Sequence, residues 1–261
     1  MTEDEPPLSQ SFRSFIATQQ PVDSALPVTH ITDGFAFRSV LTSGQLEVEA
    51  CTVFENEPLL YLFYGRPAYR VNSQVLSSAI DAYAPGCFIL RPSTAQRPRR
   101  VFPFDTGAFH AERFSEAMHR KMMRDDFALE PDTASARQLI GLFFGTNDRY
   151  MRNDPIQDVA LPGLAFEASS YHALINSRHE NVFDERISAI EIQLDHPLPL
   201  GGNVEAVVMP DRFAIHEVLE AVQAMGAIAL PYDYIARLRP EAYTGNIYQL
   251  VRDYYRQQGY L

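Results

Sequence analysis

LLYLFYGRPAYR, residues 59–70, decides how the chain is read. Residues 59–64 form a near-continuous apolar and aromatic run, the pattern of a strand buried on both faces. The run breaks at Gly65-Arg66-Pro67, where a glycine and a proline bracket a guanidinium. A charge in such surroundings is costly unless it is paired, so the bend aims Arg66 at an anion or an acidic side chain. Two other segments place one polar group in an apolar strand pattern: His30 within VTHIT, residues 28–32, and Glu191 within SAIEIQL, residues 188–194. Each alone is compatible with a buried structural group whose hydrogen bonds are satisfied internally. Together they nominate His30, Arg66 and Glu191.

The pattern around these segments sets the organisation. GFAFRSVL, residues 34–41, has apolar positions at helical spacing, and Gly44 supplies the glycine expected just past a helix end. Residues 45–53 alternate as a strand does, and further strands are predicted over 86–90 and 100–104, flanking an Arg-rich loop. Residues 108–171 read as helical and loop material, with helices expected over 111–123 and 134–144. Strands resume over 189–194 and 204–209, joined through Pro197, Pro199 and Gly201-Gly202. Helices are predicted over 213–225, 232–238 and 242–257, the tyrosines of the last being core contacts. Residues 1–26, rich in Pro, Gln and acid, read as a flexible arm with a short helical pattern over 8–18. The expectation is an α+β protein: the arm, then a single domain over 27–261 with a helical insertion near 108–171 and a helical C-terminus over 212–261.

Composition narrows the function classes. With 261 residues the chain is long enough for a substantial core. Apolar runs fall short of the roughly 18 residues a membrane helix needs, and the acidic MTEDEPPLSQ start is unlike a secretory signal. A cytoplasmic protein without membrane contact is expected. Cys51 and Cys87 form neither a CxxC pair nor part of a zinc-spaced cluster, so neither a disulfide framework nor a metal is expected. A formal net charge of -11 argues against a surface that grips nucleic acid throughout. Basic residues nevertheless gather centrally at Arg91, Arg97, Arg99, Arg100, Arg113, Arg120, Lys121 and Arg124. With Lys121 the only lysine, that charge is almost wholly guanidinium, suited to bidentate phosphate or carboxylate recognition or to ion pairs on a solvated face.

Residues two apart on a strand share a face, so His30 and Thr32 present an imidazole and a hydroxyl together. A carboxylate such as Glu191 in an apolar strand is tuned as an acid, a base or an acceptor for ribose hydroxyls. The order of these features resembles the ADP-ribosyltransferase fold: a His-x-Thr strand, a short helix and Gly-x-Leu turn, an aromatic strand ending in an Arg-Pro bend, and much later an apolar strand with an internal Glu. The nearest group is the DarT-type DNA ADP-ribosyltransferase toxins. The resemblance, in patches over about a third of the chain, implies a split mixed β-sheet core with helical insertion and C-terminal helices. It implies NAD as substrate, no metal, transfer of ADP-ribose to a protein, nucleic acid or water, and an antitoxin or regulatory partner. By the same resemblance Glu191 is the catalytic carboxylate, Arg66 offsets pyrophosphate charge, and His30, Thr32, Tyr64 and Tyr69 hold NAD. The polar stretch 173–186, with Ser177, Arg178, His179 and Asn181, is where such enzymes select an acceptor.

Alternatives stay open at this level. Glu205, in the apolar stretch NVEAVVMP, competes with Glu191 as the carboxylate. Asp105-Thr106-Gly107 resembles the active-site turn of aspartic proteases, which a homodimer would complete with a second aspartate. A nucleotide- or partner-binding module without turnover is the remaining reading.

Overall fold

The run that ends at Gly65 becomes a central strand. The computed structural model describes residues 10–68, 80–177 and 188–261. Its strands are β1 (Val28–Asp33), β2 (Gln45–Leu46), β3 (Glu49–Cys51), β4 (Glu57–Tyr64), β5 (Pro85–Leu90), β6 (Arg100–Phe102), β7 (Glu191–Leu194), β8 (Leu198–Pro199), β9 (Val204–Pro210) and β10 (Ile228–Tyr232). The α-helices among the described residues are α1 (Phe12–Ala17), α2 (Gly34–Ser43), α3 (Thr106–His110), α4 (Thr133–Phe143), α5 (Asn147–Met151), α6 (Phe166–Asn176), α7 (His216–Ala224) and α8 (Thr244–Gln258). An eight-stranded sheet runs β10-β9-β5-β1-β4-β7-β6, with β3 also paired to β4, while β2 and β8 pair separately. All pairings are antiparallel except β9 with β10, which the α7 crossover joins in parallel. The result is a mixed α/β protein with a mostly antiparallel sheet.

The sheet opens in its middle. β1 follows β5 from Val28–Leu90 to Asp33–Pro85, yet it follows β4 only at Val28–Tyr64 and Thr29–Phe63. Beyond Thr29 the ladder between β1 and β4 ends. There the His30 side chain takes up a backbone acceptor, with Nδ1 2.9 Å from the Tyr61 carbonyl oxygen. At the closed end Gly65 turns the chain with φ 68°, donates its N–H to Pro27 O at 2.8 Å, and accepts from Tyr255 Oη of α8 at 2.9 Å. A Cβ at Gly65 would lie 2.5 Å from Leu26 Cδ1, so both conformation and space require glycine.

Local signals account for α2 and α8. Asp33 caps α2 by accepting from Ala36 N at 2.9 Å, and Gly44 ends it with φ 70°. Ile247, Val251, Tyr254 and Tyr255 form the buried stripe of α8, which packs on β5, β9 and β10.

Three expectations differ from the fold. Residues 111–123 form turns rather than a helix. Glu112 takes φ 56° directly after α3, and this swings Phe114 into a ring cluster with Phe104 and Phe109. Tertiary packing of one aromatic overrides the helical periodicity there. The helix expected over 232–238 is replaced by turns after β10, whose residues bond to β9 and whose Tyr232 Oη donates to Pro85 O at 2.8 Å. The strand expected over 45–53 divides into β2 and β3, which pair with β8 and β4.

The N-terminal segment is also more than an arm from residue 10 onward. Phe12, Phe15 and Ile16 of α1 are buried in the main core. The following stretch is strapped to α4 and α5: Arg137 donates to Val22 O and Asp23 O, Gln138 to Ala17 O and Asn147 to Ser24 O. Gly141 permits this approach, since a Cβ there would stand 2.2 Å from Gln20 O. Gly141→Ala is expected to lower stability by roughly 2–3 kcal/mol through steric overlap in a packed contact, read as a shifted urea midpoint with an unchanged slope.

Candidate active site

Cross-strand register assembles the site. Glu191 stands opposite Phe63 of β4 on one side and Phe102 of β6 on the other; Gln193 stands between Tyr61 and Arg100. Paired residues share a sheet face, so Tyr61, Phe63, Glu191, Gln193, Arg100 and Phe102 form one surface. The two phenylalanines flanking Glu191 strip it of water, and Glu191 is 1% exposed.

Both carboxylate oxygens of Glu191 are held. Thr106 N donates to Oε2 at 2.9 Å, Thr106 Oγ1 to Oε1 at 2.8 Å, and Gln193 Nε2 to Oε1 at 2.7 Å. Gln193 is oriented from its other end, where Arg100 Nη1 donates to its Oε1 at 3.2 Å, and Arg100 Nη2 donates to Glu57 Oε1 at 2.8 Å. Burial pushes the Glu191 pKa up, the charge of Asp105 raises it further, and the Gln193 and Thr106 hydrogen bonds pull it back, leaving it at about 8. Asp105, immediately before Thr106, is 8% exposed and caps α3 by accepting from Ala108 N at 2.7 Å.

A cavity of about 660 Å³ lies where β1 and β4 part. It is lined by His30 and Thr32 of β1, Cys51 of β3, Tyr61 of β4, Glu191 of β7 and Asp105. Its volume falls within the range of roughly 300–1,000 Å³ seen for small-molecule and cofactor sites. Burial lowers the His30 pKa, so the ring is neutral at pH 7. A carbonyl can only accept, so Nδ1 carries the proton that faces Tyr61 O and Nε2 is left as an acceptor. Tyr61 Oη and Cys51 Sγ share a hydrogen bond at 2.7 Å. Burial, then that bond, then the charge of Glu191, hold the Tyr61 phenol far above its ordinary range. Glu47, Glu49 and Arg113 also line the cavity.

Five of the expected residues separate clearly. His30, Thr32 and Glu191 meet in the cavity. Arg66 does not line it: the side chain is 2% exposed, and Nη1 donates to Asn153 Oδ1 at 3.2 Å and to Ser188 Oγ, with the guanidinium 5.6 Å from the Tyr150 ring centroid. Tyr64 is buried beneath the sheet, its Oη accepting from Leu26 N at 2.9 Å. Tyr69, Arg178, His179 and Asn181 lie outside the described residues; Ser177 caps the end of α6 by donating to Leu174 O. Glu205 belongs elsewhere, accepting from Tyr260 Oη at 2.8 Å and Tyr254 Oη at 3.2 Å.

The Arg-rich stretch is largely spent on contacts of its own. Arg99 and Arg100 face Glu57, Arg124 pairs with Asp125 and stacks 3.8 Å from the Phe54 ring centroid, and Arg91 faces Glu205. Tyr61 and Gln193 were not singled out from the sequence as site residues, and Thr106 only within the Asp105-Thr106-Gly107 turn. Parity offers the signal for the first: Tyr61 shares a strand face with Phe63, whereas Tyr64 points the other way. Among the described residues no group of His, Cys, Asp and Glu is arranged to hold a metal, and no helix is long and apolar enough to cross a membrane. The chain matches no protein-family profile and no curated protein.

Proposed function

We propose that this chain cleaves the nicotinamide glycosidic bond of NAD and passes the ADP-ribosyl group to an acceptor or to water. The observation that carries it is the meeting of His30, Thr32, Tyr61 and Glu191 in one cavity at the opening between β1 and β4. An opened sheet with a His-x-Thr strand on one side and a buried glutamate near the other is what the resemblance to ADP-ribosyltransferases leads one to expect.

Each residue then has a physical task. His30 accepts a ribose hydroxyl at Nε2, and Thr32 adds a hydroxyl on the same strand. Tyr61 supplies an aromatic wall for the nicotinamide ring. Glu191, fixed by Thr106 and Gln193, places negative charge where positive charge grows on the ribose as the bond breaks. Because its donors are already in place, the carboxylate needs little reorganisation at that moment. Glu47, Glu49 and Asp105 make the cavity acidic, which suits the cationic nicotinamide ring, and Arg113 is the arginine among its lining residues.

The test is incubation of the purified protein with NAD, with nicotinamide release followed by chromatography, alone and with protein or nucleic-acid acceptors. Release is expected, and His30→Ala is expected to raise KM more than it lowers kcat. Glu191 acts as a carboxylate, so kcat/KM should rise with pH and level off above about 8, the pKa of the group in the free enzyme. NAD binding without release would turn the assignment to a nucleotide-binding module.

A further inference from the structure

We propose that Arg100 is a positioning residue for Glu191: it locks the amide of Gln193 so that Gln193 can only donate to the carboxylate, which favours the charged form that the reaction uses. The inference rests on the NAD-cleaving reading above for the reaction it serves, and it extends the site from the cavity to the edge strand β6.

The three side chains stand in a row on one face of the sheet. Arg100 of β6 is the register partner of Gln193 of β7, and Gln193 lies two residues from Glu191 on the same strand. Gln193 is fully buried, so its amide is satisfied by its neighbours. A guanidinium has no acceptor, so the Gln193 atom that faces Arg100 Nη1 at 3.2 Å is Oε1, and Nε2 is left for Glu191 Oε1 at 2.7 Å. The opposite orientation would set donor against donor. Arg100 is itself fixed: Nη2 donates to Glu57 Oε1 at 2.8 Å, and the guanidinium lies 4.6 Å from the Phe54 ring centroid. Glu57 offsets part of that charge while facing Arg99 at 3.9 Å as well.

The two partners of Glu191 Oε1 differ in what they allow. The Thr106 hydroxyl both donates and accepts, so it can serve the carboxylate or take a hydrogen bond from the protonated acid. Gln193 serves the carboxylate alone for as long as Arg100 holds its oxygen. Its donation is among the bonds that pull the Glu191 pKa back to about 8 against burial and the charge of Asp105. Without Arg100 the amide is free to turn, and its oxygen would then accept from the protonated acid and favour the neutral form. The other titratable groups facing Glu191 are Asp105 and Tyr61, whose ionisation is coupled to its own. His30 of β1, Cys51 and Glu49 of β3, and Glu47 and Arg113 line the same cavity. All are retained when positions 100 and 193 are changed.

Arg100→Met removes the donors, and Arg100→Gln replaces them with an amide that can itself give or take, so either variant releases the lock. Gln193→Met removes the donor to Glu191 directly. Nicotinamide release is measured from about pH 6 to about pH 10, on both sides of the Glu191 pKa. In both Arg100 variants the pH of half-maximal kcat/KM is expected about one unit above that of wild type, so release is about tenfold slower at pH 7 and close to wild type at about pH 10. An injury to the fold alone would lower the rate by one factor at every pH. Gln193→Met should shift the midpoint at least as far, and adding Arg100→Met to it should shift the midpoint no further. Urea unfolding over the same range reads the ionisation of Glu191 without NAD, as the difference between each protein and its Glu191→Gln counterpart. Stability lost as pH climbs through the folded pKa should persist about one unit higher in the Arg100 variants. An unmoved midpoint in both Arg100 variants, or a double variant shifted beyond Gln193→Met, would overturn the positioning role. Absence of release from wild type would overturn the NAD reading instead, and the unfolding series would then decide the role of Arg100 alone.

Discussion

Glutamine at position 191 is expected to abolish nicotinamide release, by about 1,000-fold or more, while leaving a folded protein whose stability no longer depends on pH as the wild type's does. Loss of a preorganised charge aimed at a developing cation costs on the order of 3–4 kcal/mol in transition-state stabilisation. The fold survives because Gln matches Glu in volume. Its carbonyl can accept from Thr106 N, its amide can donate to Thr106 Oγ1, and Gln193 must turn its own amide over, at the expense of the bond from Arg100. The pH dependence follows from the raised pKa. An acid whose folded pKa lies above its unfolded value binds its proton more tightly when folded. The stability it adds is complete below the unfolded value, near 4.3, and is lost as pH climbs through about 8. Wild-type unfolding free energy should therefore fall between about pH 4 and pH 8, by up to roughly 5 kcal/mol at about 1.4 kcal/mol per unit. Urea unfolding at a series of pH values compares the two proteins. Parallel curves would mean that Glu191 ionises in its ordinary range and that its surroundings do not tune it.

Arg66→Ala is expected to act on stability rather than on the site, lowering it by about 3 kcal/mol or more. The side chain is buried, its charge meets only the neutral acceptors Asn153 and Ser188 and the ring of Tyr150 among the described residues, and its Nε has no hydrogen-bond partner. Truncation leaves a cavity and removes a buried donor from both acceptors, although Asn153 Oδ1 still accepts from Ser188 Oγ at 2.6 Å. Arg66→Met refills most of the volume without the charge and should recover part of the loss, because a buried cation is itself expensive. NAD affinity, measured by calorimetry on the folded variants, should stay within about threefold of wild type. A large fall in affinity at unchanged stability would instead place Arg66 with the pyrophosphate, the role that the resemblance to ADP-ribosyltransferases implies.

How far the sequence carried depends on which interactions are local. The strands β1, β4, β5 and β9 were legible because dense β-branched and aromatic runs leave few other options. The start and end of α2 were legible because Asp33 and Gly44 act within one turn of the helix. Glu191 could be nominated from its apolar neighbours, but nothing in the sequence says that Phe63 and Phe102 flank it, since register across more than a hundred residues is fixed by tertiary packing. The resemblance nominates Tyr64 where the cavity is lined by Tyr61, and a single step along a strand reverses the face. Asp105-Thr106-Gly107 was noticed as a turn from another kind of enzyme; the fold instead sets its threonine on Glu191. The error over 111–123 has the same origin, a local periodicity overruled by where one phenylalanine finds its partners.

The opening between β1 and β4 also has a timetable. Its walls include residues 30 and 61, but Glu191 pairs with Phe63 only after another 128 residues have been made. At about 5–20 residues per second, roughly 10–40 s separate the start of synthesis from the appearance of residue 191. A nascent chain thus carries residues 30 and 61 for many seconds before it owns the Glu191 carboxylate. Any truncated product ending before that strand is a chain without the proposed chemistry. Delay is built into the strand order, and under the proposed NAD cleavage it is the interval in which a regulatory partner would meet the chain before its chemistry is complete.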